Sequence, residues 1–215
     1  SYSEAKAKLD EGLVGEPVFI RSQTADKDTL APFQVEFCAA GGGIFHDYSV
    51  HDIDLIHWFS GSYIKKVWSL GGAYRFEEFE KAGDADNAFA MCELENGMMA
   101  LIGASRVSSF GHNAFTEIMA TKGNLKIGDP PNKNRLQISD KFGVRHECLD
   151  SFYDRFREAF VLQIKDFVNC INRGIQPDLT IENAAKATLV ATALTKSFKE
   201  NVIIHVDDLK PKMMF

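Results

Sequence analysis

The sequence predicts an α+β fold in which a large, mostly antiparallel open sheet has helices on one face. Three observations predict it: β-rich segments are concentrated in the middle of the chain, helical segments lie towards its ends, and glycine-containing turn pairs separate the apolar runs. Strands joined by tight turns pair antiparallel, and helices can then cover one face. The 215 residues are enough for one sizeable core, so we expect residues 1–215 to form a single α/β domain.

The first third of the chain is predicted to contain two helices separated by a strand and a loop. These four segments are 3–11, 16–24, 25–40 and 44–59, in the order helix, strand, loop, helix. Gly12 ends the first helix and Gly61 the second, because glycine readily adopts the left-handed conformation found after helix ends. Pro32 and scattered charges without a period predict the long loop.

The remaining segments are predicted to be strands followed by two helices. The strands are 63–76, 87–106, 115–128, 134–140 and 144–150; the helices are 151–173 and 181–200, before a short strand at 202–206. Asn96-Gly97 predicts a hairpin with a type I′ turn. Apolar residues at three- and four-residue spacing give the first of these helices one apolar face, which ends at Gly174, and Thr180 is a predicted N-cap for the second.

The hairpin strands are apolar on both faces. The run from Met98 to Ala104 is almost continuously apolar, whereas a sheet wetted on one side should alternate. Helices are predicted on only one face. We therefore expect the other face to contact another subunit or domain.

Composition and charge exclude several classes of protein. The net charge of −6, without a block of basic residues, argues against nucleic-acid binding. No apolar run approaches the length of a membrane span, and no secretory segment is recognisable. The four cysteines stand alone, which predicts free thiols in a reducing compartment and a cytoplasmic protein.

The segment "GGGIFHDYSVHDIDLIHWFSG" carries the strongest functional signal. At about 100° per residue, four of its side chains fall on one helical stripe: Asp47, His51, Asp54 and Trp58. We expect the stripe inside the apolar arc, where ionisable groups need partners and have perturbed pKa values. Asp47 can hydrogen-bond His51 four residues later and fix its tautomer, which makes the two a candidate acid–base pair.

Other interpretations of this segment stay open. A buried Asp–His pair can be purely structural, and Asp54 is predicted to bond backbone groups inside the core. A metal site would draw on Asp47, His51 and Asp54 with His46 or His57. Those last two histidines project about 80–100° away from the stripe, so no metal is predicted.

The three glycines at 41–43 lack the spacing of a dinucleotide-binding loop or a P-loop. They predict a tight turn that feeds the helix and lets a ligand approach the backbone closely. Cys38, just upstream, has no neighbouring base in the sequence, and no role is predicted for it.

This segment resembles the Gly-Gly-x-x-x-Asp-x-x-x-His-x-x-Asp pattern of the Gfo/Idh/MocA oxidoreductases, in particular the inositol 2-dehydrogenase-like branch. The resemblance continues through "EGLVGEPVFIR", "DADNAFAMCELENGMMALIGASR", "TEIMATKGNLKI" and the closing helices at 156–198. It implies that residues 1–215 are the C-terminal substrate-binding and oligomerisation domain. It also implies that the N-terminal dinucleotide-binding (Rossmann) domain, which would hold NAD or NADP, is absent from this chain.

The resemblance further implies an activity and its residues. The full-length protein would oxidise a CH–OH group of a cyclitol or sugar, whereas this chain alone would be inactive. His51 would exchange a proton with the substrate hydroxyl, and Asp47 would orient or charge-couple it. The implied substrate-binding residues are Gly42, Gly43, His112 and Asn113, although His112 could instead be an exposed loop histidine. The open sheet would be a homo-oligomer interface.

A non-catalytic sugar-binding sensor of the same fold is the alternative function. Retention of both Asp47 and His51 argues against it, because a sensor need not keep a proton-transfer pair.

Overall fold

The computed structural model describes residues 1–128 and 131–209. Its helices are α1 Tyr2–Asp10, α2 Ala31–Gly41, α3 Val50–Ser60, α4 Glu77–Lys81, α5 Phe152–Arg173 and α6 Ile181–Glu200. Its strands are β1 Pro17–Lys27, β2 Ile64–Gly72, β3 Asn87–Leu94, β4 Met99–Ser108, β5 Asn113–Ala120, β6 Gly123–Ile127, β7 Ile138–Asp140, β8 Gly143–Arg145 and β9 Ile204–His205. Short 3₁₀ turns occupy Asp28–Leu30 and Val206–Leu209, and a π-helical turn occupies Phe45–Ser49.

Seven strands form one sheet in the order β6-β5-β1-β4-β3-β2-β9, and β7 and β8 form a separate hairpin. Every neighbouring pair in the large sheet is antiparallel except β1 and β4, which the intervening helices and strands bring side by side in parallel. The predicted α+β class with a mostly antiparallel sheet is confirmed. Both edges are short, because β6 has five residues and β9 has two.

The core lies on one face of this sheet, beneath α3 and α6. In β3, Ala88, Ala90 and Cys92 are buried, whereas Phe89 and Met91 between them are 53% and 56% exposed. Met99 of β4 is 59% exposed on the strand that carries the buried Ile102. The helices therefore cover one face, and the second face is apolar and open in this chain; its cover by a subunit or domain stays a prediction.

The hairpin between β3 and β4 turns at the predicted Asn96-Gly97 pair, but the turn type differs. Gly97 has φ 85°, whereas Asn96 does not have a positive φ. Leu94 N–H donates to Met98 O at 2.8 Å and Gly97 N–H donates to Leu94 O at 3.0 Å. The connection is therefore a three-residue loop with glycine in the left-handed position, not a two-residue type I′ turn.

The prediction of a long loop over 25–40 is wrong. β1 continues to Lys27, a 3₁₀ turn follows, and α2 then occupies Ala31–Gly41. Pro32 lies in the first turn of α2, where the missing N–H has no intrahelical partner to lose. Proline therefore starts a helix here instead of excluding one.

The predicted C-terminal helices are confirmed, with their caps. Gly174 ends α5 with φ 63°, and the Thr180 hydroxyl accepts from Asn183 N–H at the start of α6. The apolar face of α5 does not pack into the core, because Ile164 and Ile171 are 62% and 64% exposed. Of the predicted strand at 202–206, only β9 is formed.

Within residues 1–128 and 131–209, no helix combines the length and the hydrophobicity that a membrane span requires.

Candidate functional site

The glycine-rich segment feeds a helix, as predicted, but it follows α2 and not the predicted loop. Gly42 and Gly43 have φ 94° and 86° and separate α2 from the π-helical turn Phe45–Ser49. Asp47 lies in this turn and His51 follows in the first turn of α3, which Gly61 ends with φ 61°. A π-helical turn contains a wider i→i+5 hydrogen-bonded ring and is often found at functional sites.

The predicted stripe is not on the buried side of this helix. His51 is exposed, Asp54 is half-buried, and Trp58 is 42% exposed, whereas Ile53 and Ile56 are fully buried. The segment is apolar on nearly all sides, so apolar residues flanking the stripe did not identify the buried side. The prediction that this stripe, including Trp58, lies on the buried side of the helix is therefore wrong.

Asp54 does not bond backbone groups from inside the core, contrary to the prediction. No hydrogen bond to its carboxylate occurs among the described residues. Partial burial raises the pKa of Asp54, and the charge of His51 opposes this rise.

The predicted hydrogen bond between Asp47 and His51 is not formed within the described part of the chain. Instead, Oδ2 of Asp47 accepts from Sγ of Cys38 at 3.5 Å and lies 3.6 Å from Nη2 of Arg106. Burial raises the pKa of Asp47, while the Arg106 charge and the Cys38 hydrogen bond lower it. Asp47 is therefore a half-buried carboxylate held by a cation, with His51 exposed beside it on the next helical turn.

Cys38, for which no role was predicted, belongs to this cluster. It is 2% exposed, and its sulfur accepts from Nη1 of Arg106 at 2.6 Å. Nη2 of Arg106 also donates to Oδ2 of Asp84 at 3.4 Å. Burial raises the pKa of the Cys38 thiol to about 11, so the thiol stays protonated and can donate to Asp47.

His112 is buried and not an exposed loop histidine. It is 3% exposed, its Nδ1 lies 3.3 Å from Oδ1 of Asp26, and its ring packs edge-on against Phe156. Burial alone would raise the pKa of Asp26, but the hydrogen bond and charge of His112 bring it below its usual value. Nε2 of His112 and Oδ1 of the adjacent Asn113 are buried without a hydrogen-bond partner among residues 1–128 and 131–209.

Tyr48 joins the two clusters. Its hydroxyl accepts from Nε2 of Gln34 at 2.6 Å and donates to Oδ2 of Asp26 at 3.3 Å. The face of its ring lies 5.0 Å from Cζ of Arg106. A chain of contacts therefore runs from Asp47 through Arg106, the ring and hydroxyl of Tyr48, and Asp26 to His112.

The two glycines predicted to bind substrate are surrounded by side chains. A Cβ at Gly43 would lie 2.7 Å from Oδ1 of Asp84, and one at Gly42 would lie 2.9 Å from the ring of His46. Both glycines line a cavity of about 60 Å³ together with Lys199. This volume is far below the about 300 Å³ at which ligand pockets begin, so these residues form at most one wall of a site. Their substrate-binding role stays a prediction.

The remaining histidines of the segment have local partners. Nδ1 of His46 donates to Gly42 O at 3.0 Å, and Nε2 of His57 accepts from Ile64 N–H at 3.2 Å. Burial and the charge of Lys186 lower the pKa of His57 to about 4, so it is neutral near pH 7. Among residues 1–128 and 131–209, no three His, Cys, Asp or Glu side chains are grouped as metal ligands would be.

Sequence reasoning missed the residues that surround Asp47 in space. Arg106 had a detectable signal, because it is a charge at the end of an almost wholly apolar strand, and such a residue needs a buried partner. Asp26 and Asp84 had none, since each lies in a polar stretch where an acid is unremarkable.

The arrangement suits proton transfer to and from a hydroxyl group. The exposed imidazole of His51 can accept a proton, and the carboxylates of Asp47 and Asp54 beside it can stabilise the resulting charge. Buried polar atoms without partners, at His112 and Asn113, are the kind that hydrogen-bond a polyol.

Comparison with known proteins identifies relatives along almost the whole chain. The model of the GFO/IDH/MocA C-terminal domain matches residues 2–126. The scyllo-inositol 2-dehydrogenase (NAD(+)) of Bacillus subtilis is 31% identical over 207 residues, which are 96% of this chain and 59% of the relative. The myo-inositol 2-dehydrogenase of Thermotoga maritima is 26% identical over 97% of this chain and 62% of its own length.

A solved structure shares the fold. The scyllo-inositol dehydrogenase from Lactobacillus casei, with bound NAD(H) and scyllo-inositol, superposes with a TM-score of 0.92 at 35% identity, over 96% of this chain and 61% of that one. The chain thus spans about three fifths of the length of these relatives.

Proposed function

Because the chain belongs to the GFO/IDH/MocA family, as its C-terminal domain, we propose that it is the substrate-binding and catalytic-dyad domain of an NAD(P)-dependent oxidoreductase. The substrate would be a cyclitol or sugar, oxidised at a CH–OH group. The observation that carries the proposal is the similarity over 96% of the chain to an enzyme that holds NAD(H) and scyllo-inositol. The dinucleotide-binding part would lie outside these 215 residues.

The residues of this chain fit the substrate side of such a site. Gly42 caps the end of α2, whereas a dinucleotide-binding loop joins a strand to a helix, so 41–43 offer no pyrophosphate cradle. NAD or NADP, when bound, would supply the hydride acceptor. The chain would supply the groups that bind the polyol and handle its proton.

His51 is the proposed acid–base residue. Its exposed ring would accept the hydroxyl proton as the substrate carbon loses hydride, and return a proton in the reverse direction. Asp47, four residues earlier, would stabilise the charged imidazole through its negative charge, since the two side chains are not hydrogen-bonded to each other in this structure. Cys38 and Arg106 hold Oδ2 of Asp47 in place for this role.

His112 and Asn113 are the proposed substrate-binding residues, together with the backbone at Gly42 and Gly43. Support comes from Nε2 of His112 and Oδ1 of Asn113, which have no partner in the described chain. A buried polar atom without a partner is costly, and a substrate hydroxyl would satisfy it. Asp26 fixes the orientation of the His112 ring through Nδ1.

The test is turnover by the full-length protein against a panel of cyclitols and sugars, with NAD and NADP. We expect reduction of the cofactor by the parent protein and a loss of at least about a hundredfold for His51→Asn, with the fold retained. His146→Asn is the matched control, because His146 lies in the exposed β8 region and binds Leu136 O. Full activity of His51→Asn would contradict the assigned role. Sugar binding without any reduction would favour the sensor function.

We also propose that the open sheet face is a homo-oligomer contact. Phe89, Met91 and Met99 are each more than half exposed and lie on the same face of the paired strands β3 and β4. Contiguous apolar surface of this kind marks an interaction site. Phe89→Asp should reduce the molar mass in light scattering to that of the monomer, whereas Phe142→Asp, at an 82% exposed position on the β7–β8 turn, should not. An unchanged mass for Phe89→Asp would exclude this face as the contact.

A further inference from the structure

Arg106 is a charged side chain that is 0% exposed. It follows the buried Ala104 in β4, and its backbone N–H donates to Asp86 O at 2.8 Å. Removing a guanidinium from water is costly unless its partners compensate for the lost hydration. The groups around Arg106 therefore indicate its role.

Four segments of the chain converge on this guanidinium. Nη1 donates to Cys38 in α2, Nη2 contacts Asp84 in the loop before β3, and Nη2 lies 3.6 Å from Asp47 in the π-helical turn. The rings of Tyr48 and Phe79 lie 5.0 and 4.7 Å from Cζ and are favourable neighbours for a cation.

The two carboxylates beside Arg106 differ in what else they do. Oδ1 of Asp84 accepts from Ile44 N–H at 2.9 Å, so both of its oxygens are engaged, and its side chain is 7% exposed. Asp47 uses only Oδ2, for Cys38 and Arg106, and its side chain is 21% exposed. Oδ1 of Asp47 has no hydrogen bond or ion pair among the described residues.

We propose that Arg106 is a positioning residue that keeps Asp47 ionised and fixes Oδ2, so that Oδ1 remains available for the imidazolium of His51. This inference rests on the proposed function, in which Asp47 and His51 act as a pair. Oδ2 of Asp47 would hold the carboxylate in place, and Oδ1 would interact with His51 during the reaction. Cys38 contributes as a neutral donor that shares Oδ2 with the cation.

The charges around Asp47 act in opposite directions. Burial raises its pKa; Arg106 and the Cys38 hydrogen bond lower it, and the charges of Asp26 and Asp84 raise it again. Arg106 is the positive charge that lowers the pKa of Asp47, so its removal would leave the charges of Asp26 and Asp84 opposed only by hydrogen bonds at this buried site. Asp47 should then hold its proton to a higher pH.

The experiment is a ¹³C NMR titration of the Asp47 carboxyl carbon in the full-length protein, assigned with Asp47→Asn. An opposite charge within about 4–6 Å lowers an aspartate pKa by about 1–3 units, so we expect the Asp47 midpoint to rise by at least about one unit in Arg106→Gln. Arg145→Gln is the matched control, since Arg145 pairs with Asp140 on the exposed hairpin. An unshifted Asp47 midpoint in Arg106→Gln would overturn the inference.

The pH profile of kcat/KM tests the same inference in turnover. In Arg106→Gln, the apparent pKa on the acid side of the profile should rise by the same amount as the Asp47 midpoint. Each pH unit of rise corresponds to about a tenfold loss of kcat/KM at pH values below that pKa, and the KM for the cofactor should stay unchanged. An equal loss at every pH would mean a structural role only and would also overturn it. If the parent protein shows no turnover, the proposed function fails, and the NMR titration still decides whether Arg106 sets the charge of Asp47.

Arg106→Lys decides the matter should Arg106→Gln fail to fold. A lysine keeps the positive charge but has a single nitrogen, so it cannot place one nitrogen at Cys38 and a second at the carboxylates. The Asp47 midpoint should therefore shift upward by less than the glutamine variant would give, and kcat should fall severalfold. If the Asp47 midpoint and kcat of Arg106→Lys both equal those of the parent protein, the positioning role is refuted.

Discussion

Asp52 should make the stability of this fold depend on pH across the neutral range. The side chain is 2% exposed in the first turn of α3, where Oδ1 accepts from the Ser22 hydroxyl at 2.5 Å and Oδ2 is buried without a hydrogen-bond partner among the described residues. Burial raises the pKa of Asp52 to about 7, against the lowering effect of the Ser22 and Thr24 hydroxyls. The native state therefore holds a proton that the unfolded chain releases near its ordinary pKa of 3.8.

The magnitude follows from the difference between these pKa values. One pKa unit corresponds to about 1.4 kcal/mol, so a rise from 3.8 to about 7 gives about 4 kcal/mol. Because the folded-state pKa is the higher one, this stability is fully present below about pH 4 and is lost progressively until about pH 7. The loss is a large share of the about 5–15 kcal/mol by which domains are stable.

The assay is urea unfolding of this chain at several pH values between 4 and 8, with Asp52→Asn as the comparison. Both tryptophans report on the relevant region, since Trp58 lies in α3 and Trp68 in β2. The free energy of unfolding of the parent should fall by about 1.4 kcal/mol per pH unit relative to Asp52→Asn between pH 4 and 7. A constant offset is expected in addition, because the asparagine NH₂ group would also be buried without an acceptor.

The slope, and not the offset, decides the result. If the difference between the parent and Asp52→Asn does not change with pH, then Asp52 does not titrate between the two states and the reasoning is wrong. Asp10→Asn is the control, because Asp10 pairs with Lys6 at an exposed i,i+4 position and its removal should leave the slope intact.

Two further substitutions test the core and a backbone contact by chemical denaturation. Leu194→Ala, at a 0% exposed position of α6, should lower the free energy of unfolding by about 2–5 kcal/mol. Leu136→Ala, at a 56% exposed position, should lower it by less than about 0.5 kcal/mol, and equal losses would contradict the described core. Gly111→Ala would bring a Cβ within 2.2 Å of Leu149 O at φ 118°, while Gly143→Ala at φ 114° meets nothing within 4 Å. The Gly111 variant should therefore be the less stable by about 1–3 kcal/mol, and equal stabilities would mean that Leu149 moves away freely.

Features set by neighbouring residues could be predicted from the sequence, and features set by distant residues could not. The hairpins, the helix ends at Gly61 and Gly174, and the Thr180 cap each depend on a few consecutive residues. The helix at Ala31–Gly41 was missed because a proline can begin a helix as well as exclude one. Residues close together in the sequence therefore determined both the features that were predicted and the helix that was missed.

The candidate site shows the opposite limit. Asp47 and His51 could be singled out from their spacing, but the partners of Asp47 come from Cys38 and Arg106, which are 68 positions apart in the sequence. The orientation of α3 also could not be predicted, because apolar residues surround the helix and only the sheet beneath it selects Ile53 and Ile56 as the buried side. The spacing in the sequence thus identifies Asp47 and His51 as candidates, whereas tertiary packing determines which groups surround them.

The short edges of the large sheet restrict how copies of this domain can meet. A long unpaired edge strand would offer a row of backbone N–H and C=O groups to another chain and permit open-ended, filament-like growth. Here one edge is the five-residue β6, whose Lys126 pairs with Glu117 at 3.2 Å, and the other is the two-residue β9. These two strands are themselves too short to template a further strand of useful length. The proposed homo-oligomer contact would instead use the apolar face, where two copies could bury the same patch in a closed, finite assembly.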